Sequence, residues 1–442
     1  MTVVTNARLV TRNPDCPFIE NGAIAWENSL IEAIGTSAEL KEIYPHAHFL
    51  DACGAVVMPG LINMHHHIYS AFGRGMTLKE YSPRNFTDIL KGLWWHLDRN
   101  LSLEDCLQAA RFVYADCIKN GVTTVFDHHA SFGAIEGSLD QLSHAATESG
   151  IKTCLCYEAS DRDGEEKAEQ SIAENERFIK KIASQDDDMQ YAMMGLHASF
   201  TLSNKTLEKC VDVARSNDVG CHIHVAEDKA DLADSLQKYN KPVVKRLHKA
   251  GIPAKKSLAV HCIHIFDEEL EILKDTRTAV VHNPQSNMGN AVGTPDILKI
   301  FNAGILSGLG TDGYTGDIMQ SYKTANEICK HRSGNPNVGW SEIPTMLFQN
   351  NAKMANRYFK TPTGILKKGY AADIIITDYV PPTPLHEGNI NGHLLFGTDG
   401  RSVVTTIING KILMENRRFT HIDEEAILAH TRECAGKLWQ RL

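Results

Sequence analysis

The sequence predicts an α/β fold, a (β/α)8 TIM-like barrel with a small β-sandwich domain formed by both chain termini. Three observations predict it. Eight short apolar segments between residues 56 and 309 alternate with stretches of helical periodicity, the order of a parallel barrel. The 442 residues exceed one small domain but suit a barrel of ~250 residues with a companion. Short β-like segments also recur at both ends, and neither set alone has enough strands for a stable sheet.

The N-terminal β-like segments are residues 2–10, 22–27, 30–34 and 49–51, punctuated by Gly, Asn and Pro. Their expected partners are 372–377, 403–409 and, after Gly410, 411–414. The composite domain is therefore 1–56 with 365–442, including a C-terminal helix, and the barrel, 57–364, is inserted between them. Its strands are 56–64, 122–126, 151–157, 191–196, 220–225, 258–261, 279–281 and 305–309. The clearest helix is 102–120: Ser102 and Asp105 suit a capping box, Ala109, Ala110, Phe112, Val113 and Ile118 form an apolar stripe, and Gly121 closes the end. Further helices are expected at 139–149, 168–182, 205–216, 243–250, 267–275 and 296–302. An open doubly wound sheet is the structural alternative. The segment 71–101 is long for a barrel connection and carries Tyr81, Phe86, Trp94 and Trp95. As a lid over the barrel mouth it would set Trp94 against a substrate.

Composition narrows the partners. Apolar residues make up 43% and charged residues 22%, enough for a sizeable core without a disorder signal. A net charge of −9 argues against nucleic acid or an anionic membrane, both of which need a basic patch. Eleven scattered cysteines without a C-x-x-C pair of zinc-ribbon type give no disulfide framework and suit a reducing cytosol. The N-terminus reads as no signal peptide, and no run reaches ~18 apolar residues. A cytoplasmic homo-oligomer, dimer or larger, acting on a small molecule is the expectation.

The first barrel segment ends in His65-His66-His67. Side chains alternate across a strand, so His65 and His67 share a face and His66 points away. Two imidazoles at a strand end begin a metal site, and other segments must complete it. Later strand ends supply candidates: Asp127-His128-His129, His197, His224 with Glu227, His261 with His264, His282-Asn283 and Asp312. Each alone reads as a hydrogen-bonded core residue or a turn; their coincidence at strand ends is what points to a site.

The runs 58–67, His224-Val225-Ala226-Glu227, His261-Cys262-Ile263-His264, 282–287 and Leu309-Gly310-Thr311-Asp312 together resemble the amidohydrolase superfamily, in the branch of the metal-dependent deaminases and triazine hydrolases. The segment 366–375 is similar to that family's C-terminal β-sandwich. Residues 92–99 and 127–131 resemble the SsnA-type aminohydrolases. The resemblance implies one divalent metal, zinc or alternatively iron, held by His65, His67, His224 and Asp312. It makes Glu227 a proton shuttle, His261 the residue that positions water, and His197 a substrate contact, although Ser199 replaces the usual proline of that motif. No lysine ends the fourth strand, which favours one metal over two. The implied reaction is hydrolytic deamination of an amino-substituted N-heterocycle, purine, pterin or pyrimidine-like, by metal-bound hydroxide. Asp312 would take a proton and Glu227 would deliver one. His282 and Asn283 read equally as substrate contacts or as braces for the metal shell. Arg74 reads as a solvated loop residue.

Three alternatives stand beside this reading. Another leaving group, chloride, an alkylamine or an open-chain amidine, would use the same machinery. A non-catalytic member of the fold should have lost ligands or shuttle, and none is missing. Gly308-Leu309-Gly310-Thr311-Asp312-Gly313 matches a dinucleotide fingerprint, but Glu327 falls in a helical stretch and not at a second strand end.

Overall fold

A computed structural model describes residues 1–79 and 81–442. The chain enters as Thr2–Val10 (β1), Phe18–Glu27 (β2), Leu30–Thr36 (β3), His48–Asp51 (β4) and Val56–Pro59 (β5). It continues through Leu61–His66 (β6), Val122–His129 (β7), Lys152–Tyr157 (β8), Gln190–Ala192 (β9), Met194–Ala198 (β10), Cys221–Val225 (β11), Leu258–His261 (β12), Ala279–His282 (β13) and Ser307–Leu309 (β14). It closes with Ile374–Thr377 (β15), Val403–Ile408 (β16), Lys411–Glu415 (β17), Arg418–Phe419 (β18) and the helix Glu424–Trp439. The architecture is α/β.

The terminal strands meet in one sheet, ordered β18-β17-β16-β15-β5-β1-β2-β3 with β4 on β1. Where a sandwich was expected, hydrogen bonding joins all nine strands in a single sheet, eight along one path and β4 branching from β1. The sheet turns back on itself: Leu30 bridges to Ala371, and the Trp26 indole donates to the Gly410 carbonyl at 2.9 Å. Val4, Leu9, Ile24, Trp26, Val57, Ile374 and Ile407 pack together there as one apolar cluster.

The central strands form two parallel sheets, β6-β7-β8-β9 and β10-β11-β12-β13-β14. Isolated parallel bridges join His66 to Asp312 and Ala159 to Leu196. Two expected strands prove to be two each. The apolar run 56–64 divides at Gly60, so that β5 pairs in the terminal sheet and β6 pairs with β7. Gly60 is required there, because a Cβ would lie 2.2 Å from the Thr123 side chain. The run 191–196 likewise divides at Met193 into β9 beside β8 and β10 beside β11.

Most helices fall where the periodicity puts them. In Leu103–Lys119 the capping box is formed: Asp105 N donates to Ser102 Oγ and Ser102 N to Asp105 Oδ2. The C-terminal helix lies along this helix, with Lys119 paired to Glu424 and the Trp439 indole donating to the Phe72 carbonyl at 2.9 Å. Between β6 and that helix, the short π-turn Leu90–Trp94 separates Phe86–Ile89 from Trp95–Asp98. Such bulges re-aim side chains, here Trp94 and Trp95. Among the described residues no helix is long and apolar enough to cross a membrane.

Candidate active site

Strand ends bring the predicted residues together. His65 and His67 have ring centroids 4.7 Å apart. The β6–β7 register shifts between Asn63 and His66, a bulge that lets Met64 join the interior cluster while His65 still faces the site. Nε2 of His67 lies 3.2 Å from Nε2 of His224 and 3.1 Å from Asp312 Oδ1, and Nε2 of His65 lies 3.8 Å from the same oxygen. Donors arranged about 2.0–2.2 Å from a tetrahedral ion sit roughly 3.3–3.6 Å from one another, so this set fits a divalent cation.

The outward nitrogens are already engaged, which points the inner ones at the centre. His67 Nδ1 donates to the His128 carbonyl at 2.6 Å and His224 Nδ1 to the His197 carbonyl at 3.0 Å. His65 Nε2 is buried with no hydrogen-bond partner, a vacancy that a cation would fill. Burial and the neighbouring rings hold His65 and His224 well below the usual imidazole range. His67 differs. Burial opposes its protonation, but the Asp312 hydrogen bond and charge raise it to about 9; the same proton is the one a bound cation displaces.

Glu227 follows His224 by three residues and reaches the same pocket, with Oε2 3.4 Å from His261 Nε2. Burial and the nearby Asp312 charge push its carboxyl well above the usual range. Asp312 goes the other way. Burial opposes its ionisation, but His67, His261 and the Ser286 hydroxyl, donating at 2.6 Å, hold it well below that range. His261 donates from Nδ1 to Asn287 Oδ1 at 2.7 Å, leaving its bare Nε2 between the two carboxyls. Ala226, His261 and Asp312 all have left-handed backbone, with φ of 47°, 72° and 55°. Such strain concentrates where a side chain must be aimed against local preference.

The pocket is lined on one side by His67, His197, His224, Glu227 and Asp312, and on the other by Tyr69, Phe86, Leu90, Trp94 and Trp95. Trp94 and His197 thus reach it as expected. His282 and Asn283 do not line it. His282 opens onto a separate cavity beside Ile297 and Arg332, and Asn283 packs where a Cβ on Gly310 would meet its Oδ1 at 2.4 Å. That glycine, and Gly313 against Ser70, are set by close packing around the site, and Glu327 lies within the helix Ile318–Ser333. No phosphate cradle is needed to explain them. His66 turns away and bonds Thr311 Oγ1. Arg74 is exposed, 4.0 Å from Asp116.

Sequence reasoning missed four contributors. His222 bonds His65, Asn287 bonds His261, Ser286 bonds Asp312, and Glu158 lines the pocket. Alternation could have found His222, which shares a face with His224 on β11. Burial alone would raise the Glu158 carboxyl, but His197, His128 and Arg162 outweigh it and bring it to about 2.

The amidohydrolase family model matches residues 56–413. The chain belongs to the amidohydrolase family. A 5′-deoxyadenosine deaminase of Methanosarcina acetivorans is 31% identical over 446 residues, covering 99% of this chain and 98% of the relative. In fold, the family member is similar to a zinc-bound adenosine deaminase from Xanthomonas campestris, with a TM-score of 0.88 at 20% identity over 99% of this chain and 98% of that one. It is also similar to a zinc complex of atrazine chlorohydrolase from Arthrobacter aurescens, with a TM-score of 0.82 at 22% identity over 98% and 100%.

Proposed function

We propose that this amidohydrolase is an aminohydrolase that deaminates an aminopurine, converting a ring C–NH2 beside C=N into a carbonyl and releasing ammonia. The observation that carries the reading is the geometry of two buried carboxyls that face the same His261 Nε2 in one pocket, Asp312 pushed down by His67, His261 and Ser286 and Glu227 pushed up by burial and by Asp312. Such a split assigns a base and an acid. The deaminase relative that matches nearly the full chain supports the substrate class.

His65, His67, His224 and Asp312 would hold one divalent ion, zinc in this reading with iron as the alternative. Bound there, the ion supplies Lewis acidity and brings the pKa of a coordinated water toward ~7. The chain's residues do the rest. Asp312 accepts the proton of the attacking water, and His261 orients that water with its bare Nε2. Glu227 protonates the ring nitrogen next to the attacked carbon, regains a proton from the new C–O–H group as the carbonyl forms, and passes it to the departing amine; the proton held by Asp312 then restores Glu227. His197 and Trp94 hold the heterocycle, and the Phe86–Trp95 wall excludes bulk water.

The fold belongs to the same reading. The His66–Asp312 and Ala159–Leu196 bridges support closure of the two parallel sheets into one eight-stranded barrel spanning 57–364. Residues 1–56 and 365–442 then make a companion domain with sandwich-like packing around the apolar cluster of Val4, Ile24 and Ile374. Elemental analysis followed by an ammonia-release screen over aminated purines, pterins, pyrimidines and triazines tests the function. Ammonia from a purine is the expected result; chloride or alkylamine release without ammonia from any member overturns it.

A further inference from the structure

Glu158 stands one residue beyond β8, is 3% exposed and lines the pocket beside His197. Three groups face its carboxylate. Oε2 lies 3.5 Å from Nδ1 of His128, while Oε1 lies 3.9 Å from Nε2 of His197 and 3.8 Å from the Arg162 guanidinium. The last two distances are beyond hydrogen bonding. Arg162 is engaged elsewhere, donating to Asp98 Oδ2 at 2.6 Å and stacking 3.9 Å above the Phe132 ring.

The proton positions follow from the partners. His197 Nδ1 lies 2.7 Å from Thr201 Oγ1, and that hydroxyl donates to the Ala198 carbonyl. The His197 proton is therefore on Nδ1, and Nε2 is bare. His128 Nε2 faces the carbonyls of Leu196 and His222 at 3.0 and 3.1 Å, so it carries its proton there, and its Nδ1 makes no hydrogen bond to Glu158. Toward the pocket there remain Oε1 of Glu158 and Nε2 of His197, two adjacent acceptors without a donor. Both face the open pocket, and a ligand that fills it without donors would desolvate them unpaired, so a ligand gains by bringing donors.

We propose that Glu158, together with Nε2 of His197, is a specificity-determining acceptor pair that takes two neighbouring X–H donors of the substrate. The inference rests on the aminopurine reading and deepens it. The donors have two chemical sources, the vicinal hydroxyls of a ribose or the N3–H and N9–H edge of a free 2-oxopurine base. A second divalent cation is the competing occupant of the same acceptors.

The test uses the zinc-loaded full chain and product-side purines that cannot turn over: inosine against 2′,3′-dideoxyinosine, and xanthine against 9-methylxanthine. In one pair the donor-bearing member binds about ten-fold tighter or more, and the preference falls toward parity in Glu158→Gln. Zinc content and thermal midpoint are measured on the same samples, and Glu158→Asp, which keeps the charge, retains more of the preference than Glu158→Gln. Equal binding within both pairs, or a preference that survives Glu158→Gln intact, overturns the proposal. So does a second zinc ion in the wild type that is lost in Glu158→Gln. Purine turnover without donor preference removes this proposal alone, whereas no ammonia from any aminopurine and no purine binding remove the underlying reading with it.

Discussion

Nδ1 of His65 lies 2.9 Å from Nε2 of His222, and the pair fixes the tautomer of both rings. The other nitrogen of His222 faces Cys156 Sγ at 3.7 Å, where a ring N–H fits. Nε2 of His222 then accepts from His65, whose lone pair is left on the buried Nε2 aimed at the candidate metal centre. Partners of this kind orient ligating imidazoles. His222→Leu is expected to weaken zinc binding by about 10–100-fold, read by competition with a chromophoric chelator in protein whose circular dichroism is unchanged. Undiminished affinity would remove His222 from this role.

What the sequence made legible follows from what is local. His65 and His67 are two apart on one strand, and Glu227 follows His224 by three residues, so spacing alone relates them. Asp312 carries a recognisable run. Glu158 has no such signal, because its role depends on which strand ends converge, and a strand end with Tyr157-Glu158 looks like any other; Asn287 falls in the run 282–287, but nothing local names His261 as its partner. The run 56–64 shows the same limit in the fold. Its apolar character is continuous, but Gly60 lets the backbone pass against Thr123 and change sheets, which hydropathy cannot register. His282 and Asn283 sit at a strand end, yet His282 faces a different cavity and Asn283 packs against Gly310, a contact that sequence spacing cannot foretell.

The first residue of β8, Lys152, places Nζ 2.6 Å from Asp373 Oδ2, both fully buried, just ahead of β15. The pair ties a central strand to the terminal sheet, and Asp373 also accepts from Thr363 Oγ1 and Asn409 N. Removing one partner leaves an uncompensated charge. Lys152→Met is expected to cost about 3–5 kcal/mol, measured as a lowered denaturant midpoint. Adding Asp373→Asn to it should recover much of the loss, since the amide oxygen still serves Asn409. A midpoint unmoved by Lys152→Met contradicts the account.

Asp231 clamps the two loops that carry His197 and Glu227, accepting from Phe200 N and Ala226 N at 2.9 Å each. Burial raises its carboxyl to about 7. The folded state therefore binds this proton more tightly than the unfolded chain, and the associated stability is present below about pH 4 and lost as pH rises to about 7. Asp231→Asn has no such proton. Its stability deficit against wild type should shrink by about 1.4 kcal/mol per pH unit across that window, followed by denaturant unfolding at several pH values. A deficit independent of pH would show that the group titrates alike in both states.

Glu227 and His65 separate chemistry from metal retention. His65 contributes a buried, unpaired Nε2 to the candidate ligand set, so His65→Ala should lose both bound zinc and turnover. Glu227 approaches His261 Nε2 at 3.4 Å, and burial and Asp312 push its carboxyl well above the usual range. Glu227→Gln keeps the shape and the hydrogen-bond reach but cannot release a proton. Zinc content should stay at the wild-type level while kcat for ammonia release falls by about 10²–10⁴-fold, with KM changed far less. The amide also removes the group whose deprotonation at high pH ends proton delivery, so the residual rate should lose the alkaline limb of the wild-type profile. Turnover retained in Glu227→Gln would move the acid role to another residue, and His261, whose Nε2 carries no proton while Nδ1 donates to Asn287, is poorly placed to take it.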